Sequence, residues 1–221
     1  MAAFYLNSYA PLAASKLGRE ASTRFGIPPF VDGSIRREPD LEHAYPAISC
    51  LCRTDKFAPR LEPDDIVAYM LRKDRYGQGR PQRRLTAVLR VLTVFPSHLE
   101  GAAWYRERDL PLPNNCWVRG NPAKPFEHSH RRFRTSNTLD ANQTYKDWDV
   151  GYRARAMKYG TFVICERLYC DLTWDAPEVT EAQLKMVFDR VPGTRNPGAW
   201  EIMHAEQLLL ILGIDVPISG P

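Results

Sequence analysis

The stretch LTAVLRVLTVF, residues 85–95, constrains this chain more than any other. It runs without glycine or proline and places β-branched or other apolar residues at both odd and even positions. A strand with that pattern is covered on both faces, which places it centrally in a sheet. Just upstream, EPDDIVAYMLRK (62–73) opens on a turn and runs into a second strand over Ile66–Leu71. The link between them, KDRYGQGRPQRR, has two glycines, a proline and several arginines. Residues 66–95 therefore read as a hairpin with a long basic loop.

The remaining elements follow from composition and punctuation. Phe4–Tyr9 reads as a first strand, and AISCLCR (47–53) has strand composition. Ser97 and Glu100 form a capping box that opens a helix running to about Arg108. A long stretch rich in proline and asparagine follows, LPLPNNCWVRGNPAKPFEHSH, of the irregular kind that often carries function. Residues 147–160 read as a helix and 161–172 as a further strand. Thr180 and Gln183 cap an amphipathic helix, and a last helix over about 199–212 stops at Gly213. The expected class is α+β: a small β-barrel or mostly antiparallel sheet over residues 1–172, with a helical extension over 173–221 packed on it.

At 221 residues, 44% hydrophobic and 25% charged, the composition is that of a folded domain. The longest apolar run near the end, LLLILGI (208–214), is too short to span a bilayer, and the N-terminal stretch lacks the pattern of a signal peptide. Five cysteines without framework spacing point to reduced thiols in a cytoplasmic setting, with Cys50, Cys52, Cys116, Cys165 and Cys170 as structural residues. No phosphate-binding glycine loop, nucleophile elbow or zinc spacing is present, and no cofactor is expected.

Charge is unevenly spread. Residues 72–90 hold seven basic side chains and one acidic, whereas 171–206 hold seven acidic and three basic. Such a split points to one basic face, the footprint of a nucleic-acid partner. Three arginine pairs sit beside turn residues: Arg36–Arg37 in PPFVDGSIRREPD, Arg83–Arg84, and Arg131–Arg132. A guanidinium fork suits phosphate oxygens, and proline-stiffened loops lose less entropy on binding. Trp104, Trp117, Trp148 and Tyr152 interleave with this charge, as stacking platforms for bases do. Asn114 and Asn115 supply amides that match base edges beside Trp117. Trp174 and Trp200 are expected in the core.

The segment LEPDDIVAYMLRK, a loop, and then RRLTAVLRVLTVFPSHLEGAAWY resembles the PUA-like superfamily, which includes the ASCH, EVE and YTH domains. Pro63, Asp65, Ile66, Val67 and Tyr69 match the first part of its pattern. Ala87, Val88, Val91, His98, Ala102 and Ala103 resemble the second. The likeness covers about residues 30–110, with Asp64 standing where a glycine is usual, and the whole chain resembles bacterial and phage nucleotide-modification-associated domain proteins. The resemblance implies a small β-barrel that binds DNA or RNA, often with a modified base in an aromatic pocket, within a DNA-modification or phage-defence system.

The expected nucleic-acid contacts are Arg36, Arg37, Arg83, Arg84, Arg131 and Arg132 on phosphates, with Asn114, Asn115 and Trp117 around a base. A second reading is an enzyme acting on a nucleotide or modified base. There His128 and His130 of EHSHRRFR act as acid–base groups or metal ligands, joined by Glu127, Asp140, His43 or His98. A third is a non-catalytic subunit whose acidic C-terminal helices dock a protein partner. No membrane partner is expected.

Overall fold

A computed structural model describes residues 2–77, 79–130, 138–194 and 196–218, with side chains for all of these except 138–145. Five strands form one mixed sheet: β1 (Phe4–Tyr9), β2 (Ala47–Ser49), β3 (Ile66–Leu71), β4 (Leu85–Phe95) and β5 (Phe162–Cys170), in the order β1-β3-β4-β5-β2. β3 and β4 pair antiparallel as the hairpin reading expects, and β4–β5 and β5–β2 are antiparallel as well. β1 instead runs parallel to β3, placing Asn7 beside Tyr69. Register shifts interrupt the ladder at Tyr69/Met70, Val88/Leu89 and Val91/Thr93. Bulges of this kind add twist and bend the strands, and the sheet curls into a half-barrel.

The double-sided apolar pattern of β3 and β4 has two destinations. Tyr5, Val67, Tyr69, Leu71, Leu89 and Val91 face an inner core that the chain between β1 and β3 fills with Phe30, Val31, Leu41, Phe57 and Leu61. Phe4, Leu6, Ile66, Ala68, Met70 and Val88 face the other way. They pack under α4 (Glu181–Phe188) and α5 (Ile202–Ile211) through Leu184, Phe188, Ala205 and Leu208. The C-terminal helices thus form the outer layer of the sheet. A third cluster joins Ala102 and Tyr105 of α2 (His98–Arg106) to Phe162 and Ile164 of β5.

Local signals act where the sequence places them. The Ser97 hydroxyl accepts from Glu100 N–H at the start of α2, and Thr180 with Gln183 forms a reciprocal box at α4. Asp64 takes a left-handed φ of 71°, the conformation that favours glycine in such a turn. Its neighbour Asp65 accepts from Ala3 N–H at 2.8 Å and Glu62 N–H at 2.9 Å, tying the start of β3 to β1.

Two further helices position the site. α1 (Lys16–Phe25), which is not among the elements expected above, is capped by the Ser15 hydroxyl accepting from Gly18 N–H and ends at Gly26 with a φ of 65°. α3 (Thr138–Lys158) extends well upstream of the helix expected from residue 147. Trp174 is more open than a core position, 37% exposed with its edge on the Phe30 ring, and Trp200 is half-buried against Phe188. Among the described residues, no helix is long and apolar enough to cross a membrane.

Candidate functional site

The proline-rich stretch 28–40 is the first departure from expectation. Arg36 and Arg37 are each only 1% exposed. Arg36 directs Nε and Nη2 at Asp149 Oδ1, both at 2.7 Å, and Nη1 at the carbonyls of Asn121 (2.9 Å) and Asn114 (3.2 Å). Arg37 donates to the carbonyls of Asp32 (2.6 Å), Ser34 (3.1 Å) and His128 (2.9 Å), with Glu42 Oε2 3.4 Å from its Nε. A phosphate does not reach either guanidinium in this arrangement. The pair ties the segment to α3 and to the irregular chain 113–130. Buried guanidinium groups demand such partners, because an unpaired buried charge is costly.

The asparagines serve the same framework. Asn115 is fully buried and donates to Glu38 Oε2 at 3.0 Å and the Ala47 carbonyl at 2.8 Å. The Asn114 side chain donates to the Pro122 carbonyl at 3.2 Å, and its backbone N–H donates to Asp40 Oδ2 at 2.6 Å. Trp117 donates its backbone N–H to His98 Nδ1 at 3.0 Å, while Arg153 lies 5.4 Å from its ring centroid. Burial pushes the His98 imidazole down to about 4, so it is neutral near pH 7. Both amide nitrogens donate within the fold, whereas Asn114 Oδ1, Asn115 Oδ1 and Trp117 Nε1 are buried without a hydrogen-bond partner.

The basic hairpin loop meets the acidic C-terminal segment. Arg80 pairs with Glu178 at 2.8 Å, and Lys73 (2.8 Å) and Arg83 (3.3 Å) share Glu181 at the start of α4. Arg84 donates to the Ala176 carbonyl and to Gln82. These contacts engage Lys73, Arg80, Arg83 and Arg84 with the C-terminal segment. Arg131 and Arg132 lie outside the described residues, as does the side chain of Asp140.

The two histidines part company. His128 packs against Phe25 with ring centroids 4.5 Å apart and planes tilted by 47°. His130 packs on Gly33 so closely that a Cβ at Gly33 would lie 1.8 Å from its Nδ1. Among the described residues, no group of three or more His, Cys, Asp or Glu has the geometry to hold a metal ion.

His130 lines a larger feature that the sequence gives little sign of. A cleft of about 880 Å³ opens where the C-terminal ends of the parallel strands β1 and β3 lie side by side. Its floor is polar. Asn7 and Tyr69 are paired across β1 and β3, and burial raises the Tyr69 pKa well above its ordinary value. Glu38 accepts from Ser49 N–H at 2.9 Å, from the Ser49 hydroxyl and from Asn115. Burial pushes its carboxyl up to about 8, so the neutral form is favoured at pH 7. Asp32, which accepts from the Ser34 backbone and hydroxyl, is also raised by burial.

The walls are basic. Arg53, Lys56, Arg72, Lys73 and Arg83 all line the cleft, and Arg53 reaches across from the chain after β2 to the Ser8 carbonyl. Cys52 has exposed surface, yet the protein around it desolvates a thiolate and raises its pKa well above the ordinary range. Both facts fit a thiol deep in the cleft wall whose open side faces the lumen. The remaining cysteines are free and wholly or partly buried.

Among the described residues that the sequence put forward, Arg83, His130 and Tyr152 line this cleft. Asn7, Glu38, Cys52 and Tyr69 escape a reading of the sequence because strand pairing and loop burial, absent from any local pattern, bring them together. Scans against family models, curated proteins and solved structures return no match to this chain.

Proposed function

We propose that this protein binds nucleic acid through the cleft at the ends of β1 and β3, admitting one nucleotide whose base, in modified form, is the recognised element. The carrying observation is the cleft's polarity: five basic side chains line it, over a floor of buried amide, hydroxyl and carboxyl groups. Because burial favours the neutral form of Glu38, the floor repels a phosphate less than an ionised carboxylate there would. Basic walls take phosphate, and amide, phenol and neutral carboxyl groups match base edges. A base reached this way leaves its stack, which is least costly for a single strand or a damaged or mismatched pair. The likeness of residues 30–110 to the PUA-like superfamily supports the same reading, since its members bind RNA or DNA.

Fluorescence anisotropy with short DNA and RNA, unmodified and base-modified, at two salt concentrations tests the proposal. Binding that weakens steeply with salt and favours one modified base is expected. No measurable binding to any probe at low salt contradicts it.

A further inference from the structure

A second cavity, of about 370 Å³, lies against the cleft, and Ser34, Cys52 and Tyr152 line both. Its size is at the small end of the roughly 300–1,000 Å³ typical of small-molecule sites. The far wall is one face of α3. Trp148, Tyr152 and Arg155 follow the three-to-four residue spacing that brings side chains together on a helix. The Arg155 guanidinium carbon stands 4.7 Å from the Tyr152 ring centroid, and its buried Nε has no hydrogen-bond partner. Asp147 and Ser129 add acceptor and hydroxyl groups.

We infer that this side chamber holds a sugar carried by the recognised base. The inference rests on the proposal that a nucleotide occupies the adjoining cleft. A sugar ring has C–H faces that pack on aromatic rings and hydroxyls that both donate and accept. Trp148 and Tyr152 supply the faces, Asp147 accepts and Arg155 donates. A methyl substituent leaves the Arg155 Nε buried without a partner, a costly state that a hydroxyl oxygen relieves. A second phosphate meets the Asp147 carboxylate in the same small space.

The test compares three oligonucleotides that differ at one base: cytosine, 5-hydroxymethylcytosine and glucosylated 5-hydroxymethylcytosine. The expected result is at least about ten-fold tighter binding of the glucosylated probe than of the hydroxymethyl one, the size of one well-made set of polar contacts. Gly151 lines the chamber, and a Cβ built on it meets nothing within 4 Å. Gly151→Leu therefore fills the space from a helix position that tolerates a side chain. It should abolish the preference and leave affinity for the cytosine probe unchanged, and Arg155→Gln should reduce the preference. Equal affinity for all three probes in the native protein overturns the sugar assignment and leaves the nucleic-acid reading standing. Binding to none of them overturns both.

Discussion

Arg36 places two guanidinium nitrogens, Nε and Nη2, each 2.7 Å from a single carboxylate oxygen of Asp149. That contact joins the loop 28–40 to α3, two segments that wall the side chamber, through one 1%-exposed side chain. Its role is to hold the site's framework rather than to meet a ligand. Arg36→Ala leaves Asp149 without its partner and two carbonyls without a donor. Breaking a buried pair in this way costs about 3 kcal/mol, which lowers Tm by roughly 6–12 °C for a chain of this size. Calorimetry or a thermal melt reads it, and a change below about 1 °C contradicts the structural role.

Stability should respond to pH through two buried groups with opposite signs. Glu38 has a folded value of about 8 against an ordinary 4.5. The folded state therefore binds the proton more tightly, and stability falls as pH rises from 4.5 to 8. His98 has a folded value of about 4 against 6.5, so stability is lost as pH falls from 6.5 to 4. The two oppose each other between 4.5 and 6.5. Above 6.5 the Glu38 contribution is no longer opposed by His98, with a slope of up to about 1.4 kcal/mol per pH unit from this one group. Melts across this range should show a decline above pH 6.5 in the native protein and a flattened one in Glu38→Gln. An identical decline in both excludes Glu38 as its source.

The parts of the fold legible in the sequence are those with a local cause. The apolar runs give β1, β3 and β4 their bounds, and Ser97, Thr180 and Gly213 mark helix ends by capping chemistry that acts within one turn. The parallel pairing of β1 with β3 has no such cause, because it joins residues some sixty positions apart through backbone hydrogen bonds that any sequence can make. The arginine pair in 28–40 shows the limit most plainly. Prolines, a glycine and two adjacent charges read as an exposed loop. The acceptors that allow the pair to be buried, Asp149 and the carbonyls of Asn114, Asn121 and His128, come from chain far downstream.

Glu181 occupies Lys73 and Arg83 at the cleft wall, and those cations in turn hold its carboxyl below the usual range. A phosphate at the same place competes with it. Glu181→Gln should tighten binding to a short DNA by roughly two- to five-fold, the scale of exposed ion pairs. Unchanged or weaker affinity in the anisotropy titration contradicts a phosphate position beside these two side chains.

Gly33 supports the cleft by allowing His130 to pack against it. Gly33→Ala puts a methyl group into the imidazole and forces it aside. Overpacking of this kind costs about 1–3 kcal/mol. A thermal melt should show the loss, and weaker nucleic-acid binding should accompany it. A variant as stable as the native protein contradicts the close contact.

The central claim is that phosphate meets the basic wall of the cleft. The most direct measurement is the slope of log affinity against log salt concentration for the native protein, for Arg72→Ala/Lys73→Ala, and for Arg75→Ala, whose residue is exposed and does not line the cleft. On duplex DNA each lost phosphate contact removes about 0.9 from the slope. The double variant should therefore be flatter by about one to two, and Arg75→Ala should match the native protein. Equal slopes for the native protein and the double variant, or an equal loss in Arg75→Ala, would place the nucleic acid elsewhere.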